Sequence, residues 1–170
     1  MTAYLVLTAI GEDQPGLVEA LAEVIADNSG NWLESSMSQL AGKFAGILRV
    51  SVADDEVDNL VTALKGVSDR LKLVIERVDI DIKREVSRTV ELNLIGNDRP
   101  GIVREISHAL TSFSVNVEKL TTECAPAPMS SDVLFKATAI LTVPKELELE
   151  FLKHNLERLA DDIIVEVRLN

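Results

Sequence analysis

The 170-residue chain carries 28 acidic against 17 basic side chains, a net charge of -11, and both halves are acidic, with 8 basic against 15 acidic residues in 1–85 and 9 against 13 in 86–170. Nucleic-acid binding needs clustered Lys and Arg to neutralise phosphates, and beyond the short pair Lys83 and Arg84 no such cluster appears, so composition argues against DNA or RNA as a direct partner. With 46% hydrophobic but only 4% aromatic residues, the chain is globular rather than disordered and its core must be aliphatic.

Met1 to Ile10 is apolar but has no basic leader and no small-residue cleavage pattern, and Tyr4 to Ile10 reads as a buried strand ended by Gly11. Leu17, Leu21, Val24 and Ile25 recur at helical spacing and predict a helix from Pro15 to Asn28. Asn31 to Leu40 and Phe44 to Ala53 flank the turn Ala41-Gly42-Lys43 and predict a hairpin. After the acidic start Asp54-Asp55-Glu56, which suits a helix dipole, Leu60, Val61, Leu64, Val67 and Leu71 predict a second helix. Leu73 to Ile82 alternates as a fourth strand, and the charged link Lys83 to Ser87 follows; so short a link predicts that the two halves pack together.

The second half repeats the order. Thr8 to Val18 (TAIGEDQPGLV) aligns with Asn93 to Val103 (NLIGNDRPGIV) at a shift of 85, with six identities in eleven positions. The shift holds to Asn31 and Asn116 and then grows to 91, where Phe44 pairs with Phe135 and Val52 with Val143. The extra residues belong in the loop APAPMSS, Ala125 to Ser131. Predicted elements are strands Val86 to Ile95, Val115 to Cys124, Val133 to Val143 and Ile163 to Leu169, with helices Pro100 to Ser112 and Lys145 to Leu159. The expectation is an α+β protein of two ferredoxin-like βαββαβ domains, residues 1–85 and 86–170, each a four-stranded antiparallel sheet backed by two helices. Exposed edge strands are a liability, so they are expected to pair within the chain or across a homodimer.

The repeated strand-to-helix turn carries the functional signal. Proline suits a first helical turn, Asp13 and Asp98 are placed to cap it, and Gly16 and Gly101 allow a ligand's close approach. Free amides there favour a carboxylate, and acidic and amide side chains beside them favour an ammonium group, so the turn suits a zwitterion. Asn31 and Asn116, at the start of each second strand, are expected beside the same turn. An Asp-x-Pro-Gly turn that only caps a helix, with no ligand, is the competing reading.

The βαββαβ order, the DQPGLV and DRPGIV turns, and Asn following the first helix resemble the ACT domain, a regulatory module that binds amino acids. The tandem arrangement resembles the glycine cleavage system transcriptional repressor family. That resemblance implies a cytoplasmic, non-enzymatic regulator that responds to glycine or a similar small amino acid. It implies action through a protein partner, a transcriptional activator, without contact to DNA. It also implies a ligand site built from the amides of Gly16 and Leu17 and of Gly101 and Ile102, with Asn31 and Asn116. Asp13, Gln14, Asp98 and Arg99 are candidate ligand contacts of the same turns; Asp13 and Asp98 stand where many amino-acid-binding members have Asn, and Arg99 replaces Gln14 in the second copy, so the two sites are expected to be unequal. The alternative is a non-catalytic regulatory subunit or interaction module of an amino-acid metabolic enzyme.

Other features are given structural roles. His108, Cys124 and His154 lack the paired spacing of a zinc site, and no cofactor is implied. Cys124 alone closes no intrachain disulfide and is expected to be a packed small residue. Trp32 is either a pocket or interface residue or a half-buried strand residue. The pair Ser35-Ser36 has no base spaced to activate it. No apolar run approaches the roughly 20 residues that span a bilayer, so a soluble protein with no membrane partner is expected.

Overall fold

The computed structural model describes residues 1–79 and 87–170, grouped in two compact units, Met1–Ile82 and Lys83–Asn170. The first contains β1 (Thr2–Glu12), α1 (Leu17–Asp27), β2 (Asn31–Leu40), β3 (Lys43–Ala53), a 3-10 turn (Asp54–Glu56), α2 (Val57–Lys65) and β4 (Lys72–Val78). The second contains β5 (Ser87–Asn97), α3 (Ile102–Ser112), β6 (Asn116–Pro126), β7 (Val133–Pro144), α4 (Leu149–Glu157) and β8 (Ile164–Leu169). Each unit is the expected βαββαβ sandwich, with antiparallel sheets ordered β2-β3-β1-β4 and β6-β7-β5-β8. The expected boundary between residues 85 and 86 lies outside the described residues, as do the end of the fourth strand at 80–82 and the link 83–87 apart from Ser87.

The central strands alternate cleanly. In β1, Ala3, Leu5, Leu7 and Ala9 are buried beneath the helices, and β5 repeats this with Val90, Leu92 and Leu94. Leu21 and Ile25 of α1 and Leu60 and Leu64 of α2 meet that face, as do Ile106 and Leu110 of α3 and Leu152 and Leu156 of α4. Trp32 packs half-buried against the first core, which makes it a strand residue of structural role.

All four helices are shorter than predicted, α4 spanning Leu149–Glu157 within the expected Lys145 to Leu159, and α2 ending at Lys65, before Val67 and Leu71. Leaving α2 at Gly66, the chain runs through turns to Leu71, which is buried from a loop, not from a helix face. Apolar spacing alone does not separate a helix end from a turn that packs the same core. The hairpin β2–β3 closes on Ala41 (φ 49°) and Gly42 (φ 78°), a two-residue turn with both central φ positive, as the twist of paired strands requires. In the second unit the corresponding loop is longer, closing with the Ala127 amide on the Asp132 carbonyl at 2.9 Å, where the extra residues were expected. Both second strands carry the same irregularity, between Trp32 and Glu34 and between Val117 and Lys119.

Candidate functional site

The duplicated turn does not cap its helix in the way its sequence suggests. The helices begin at Leu17 and Ile102, two residues later than predicted, and neither Asp13 nor Asp98 makes a side-chain capping bond. Gly16 (φ 88°, ψ 5°) and Gly101 (φ 89°, ψ -2°) occupy the third position of a type II turn, with Pro15 and Pro100 ahead of them. Proline presets the second position and glycine alone adopts the third without strain, so the motif is a turn signature first. Close approach is not what selects glycine: a Cβ on Gly16 would lie 3.6 Å from the Arg70 guanidinium, an ordinary contact, and one on Gly101 would meet nothing within 4 Å.

Each turn is tied to its sheet by one amide, Asp13 to the Gly42 carbonyl at 2.9 Å and Asp98 to the Val133 carbonyl at 2.8 Å. Leu17 and Ile102 are 3% and 4% exposed, so their side chains are closed to a ligand. In the second unit the Ile102 amide donates to the Arg99 carbonyl at 3.3 Å and closes the turn. No such bond closes the first turn among the described residues, and α1's earliest amide with a backbone acceptor is that of Ala20, bonded to Gly16 at 3.0 Å. The amides of Gly16, Leu17 and the first helical turn thus have no backbone acceptor among the described residues.

The residues standing over the two turns differ in charge. Above the first, Arg70 donates to the Pro15 carbonyl at 3.5 Å, and Lys43 and Lys72 line the adjoining depression with Glu12 and Asp69. Lys43 is paired with Glu12. The equivalent place above the second turn is held by Asp162, whose carboxylate accepts the Asn97 amide. Arg99 is already engaged there, donating to both carboxylate oxygens of Glu105 at 2.8 and 2.6 Å. That bidentate bond holds the Glu105 carboxyl below its ordinary range and raises the guanidinium further. Arg99, read from sequence as a ligand contact, is an internal tie of the turn. Gln14, its counterpart, is exposed.

Asn31 and Asn116 are not beside the turns. Asn31 pairs with Ser51, which pairs with Tyr4, whereas the turn follows Glu12, paired with Lys43. Eight residues of strand separate the two levels, about 27 Å at strand rise. Asn116 pairs with Thr142, level with Thr89, while its turn follows Asn97 beside Leu134. The cause is topological: α1 runs the length of the sheet before β2 begins, so β2 starts at the far end, on an edge two strands from β1. Within a unit, turn and asparagine form no common site.

Sequence reasoning missed Arg70 and Asp162. Both precede an apolar residue that packs beneath the turn, Leu71 or Ile163, and the side chains of those two residues contact Gly11 and Gly96. Extending the repeat alignment to that contact identifies them as counterparts. Cys124 is exposed on β6, not packed, and its thiol is pushed up by local desolvation and then by the Asp98 carboxylate. His108 and His154 are exposed on α3 and α4. Phe135 is buried and Phe44 packs into the core from β3, so neither offers the stacking platform of an RNA-binding sheet. No helix among the described residues is long and apolar enough to cross a membrane.

Comparison with known proteins relates part of the chain to a known family. Residues 3–78 match the ACT domain. The glycine cleavage system transcriptional repressor of Escherichia coli is 23% identical over 126 residues, 73% of this chain and 66% of the repressor. The chain thus spans just under two thirds of the length of the curated relatives it matches. A crystal structure of an unknown protein from Galdieria sulphuraria has the same fold over 100% of this chain and 99% of its own, at a TM-score of 0.88 and 24% identity. A candidate glycine cleavage system transcriptional repressor of known structure covers 100% of this chain and 99% of its own, at a TM-score of 0.70 and 16% identity.

Proposed function

We propose that this tandem ACT-domain protein is an amino-acid-responsive regulator, and that its first unit is the one that senses. The observation that carries this reading is the contrast between the turns. The two starts differ in that only the first leaves the amide after its glycine without an acceptor among the described residues and has a guanidinium beside its proline carbonyl. The unbonded amides and Arg70 suit a carboxylate, and Asp13 and Gln14 on the rim suit the ammonium group of a small amino acid such as glycine. Around the second turn, Arg99 donates to Glu105, its carbonyl accepts the Ile102 amide, and Asp162 accepts the Asn97 amide. We assign Asp98, Arg99, Gly101 and Ile102 to that structural role and leave Asn31 and Asn116 outside the site.

The protein acts as a regulator rather than an enzyme, through a protein partner such as a transcriptional activator and not by touching DNA. The likeness to a transcriptional repressor supports regulation, and a net charge of -11 opposes direct contact with phosphates.

Isothermal titration calorimetry against glycine, serine and the other amino acids tests the proposal. One site per chain is expected, and Arg70→Met is expected to weaken binding about tenfold or more, the weight of one charge-assisted bond. Arg99→Met is expected to leave affinity unchanged. Failure of every amino acid to bind at millimolar concentration, or equal loss from both variants, refutes it.

A further inference from the structure

The two sheets turn very different faces away from their helices. On the first, Val6, Thr8 and Ile10 of β1 point outward beside Ile47 of β3 and Val74 of β4, their direct cross-strand partners being Thr8 with Ile47 and Val74. Ile10, Ile47 and Val74 are 46%, 51% and 59% exposed. At the equivalent positions the second sheet has Glu91 for Val6, Asn93 for Thr8, Thr138 for Ile47 and Glu166 for Val74. Those polar groups serve one another: Thr138 donates to Asn93 at 2.9 Å, Asn93 to Glu91 at 2.8 Å, and Arg168 pairs with Glu166. The second face keeps exposed Ile95 and Ile164 at one end but is polar across its centre, whereas the first is apolar there, and contiguous apolar surface on a soluble domain marks an interface.

We propose that the open face of the first sheet docks against the same face of a second copy of this chain. The charges around the apolar centre are self-complementary under one two-fold axis, in the plane of contact and crossing the strands at the level of Thr8. That axis sets Ile47 on Ile47 and Val74 on Val74 of the two copies, and Val6 on Ile10. It also sets Glu76, level with Val6, on Lys72, level with Ile10, twice over. Arg49, level with Val6, is already neutralised by Glu34 at 3.0 Å and meets small Ala45. A two-fold axis along the strands, midway between β3 and β1, instead sets Glu34 against Glu76, like charges that oppose docking. Antiparallel faces packed this way belong to the aligned class of sheet pairs. Four strands by seven residues present about 400 Å² of projected sheet. That is below the area usual for a permanent dimer, so the association is reversible on dilution.

Sedimentation velocity on the full chain, from micromolar to near-millimolar concentration, tests this. A concentration-dependent dimer is expected. Ile47→Lys sets two like charges face to face, and it and Val74→Glu are each expected to raise the dissociation constant about tenfold or more. Thr138→Lys, at the matching place on the second sheet, is expected to change nothing. Lys72→Glu alone is expected to weaken the dimer, and Lys72→Glu with Glu76→Lys to restore it. Both positions are exposed, so this charge swap decides the matter even where Ile47→Lys impairs folding. A chain monomeric at every concentration, a dimer indifferent to Ile47→Lys and Val74→Glu, or a swap that fails to restore association overturns the proposal.

Discussion

Replacing Gly16 by Ala isolates the backbone contribution of the first turn. The residue sits at φ 88°, where an L side chain is strained by roughly 1–2 kcal/mol. A Cβ would touch only the Arg70 guanidinium at 3.6 Å, so no steric term adds to this. Alanine also restricts the unfolded chain, an opposing effect of roughly 0.4–1 kcal/mol. The net expectation is a loss of about 1 kcal/mol, which lowers the melting temperature of a unit this size by about 4–8 °C. The chain's single tryptophan, Trp32, lies against the first core, so its fluorescence during thermal unfolding reports this unit and not the other. The same substitution disturbs the unbonded amides at the helix start, so the proposed amino-acid binding is expected to weaken in parallel. An unchanged or raised melting temperature for Gly16→Ala would refute the assignment of a left-handed turn and its role.

Gly11→Ala and Gly96→Ala are expected to differ, although the glycines match in the repeat. A Cβ on Gly11 would lie 2.3 Å from the Arg70 carbonyl oxygen, which is backbone, whereas one on Gly96 first meets the Ile163 Cγ1 at 3.0 Å, a side-chain atom able to shift. Denaturant midpoints should show Gly11→Ala as the more damaging change, and the reverse order would contradict the register described. Asp98→Asn removes a carboxylate that raises the Cys124 thiol, so thiolate becomes more abundant and the rate of reaction with a disulfide reagent near neutral pH should rise; an unchanged rate would show that Asp98 does not act on the thiol. Glu105 titrates below its ordinary range because Arg99 donates to it, so stabilisation by this pair is present above the ordinary carboxylate range and lost as pH falls through the depressed value. Carboxyl resonances followed by NMR should move the Glu105 midpoint upward in Arg99→Ala, and coincident titrations would exclude the pairing.

Much of the architecture was legible because its causes are local. Strand alternation in β1 and β5, helical spacing in α1 and α3, and the repeat itself depend on side-chain periods of two and 3.6 that any chain must obey. The turn was found at the correct residues but misread in kind. Gln-Pro-Gly-Leu satisfies both a capped helix start and a type II turn, and only the positive φ of Gly16 distinguishes them. The C-terminal part of α2 failed for a related reason: Leu71 keeps helical spacing from Leu64 yet reaches the core from a loop.

The sequence by itself determined that the chain is two βαββαβ units, where their turns fall, and that the turns are unequal at Gln14 and Arg99, since identity and spacing survive in one dimension. Which partners those residues meet was settled only in three dimensions. Arg70 over the first turn, Asp162 over the second, and the removal of Asn31 and Asn116 to the far end of each sheet all follow from strand register, which couples residues tens of positions apart. The apolar face of the first sheet has the same origin: Val6, Ile47 and Val74 are unremarkable separately, and become a surface because pairing to a common strand sets them side by side.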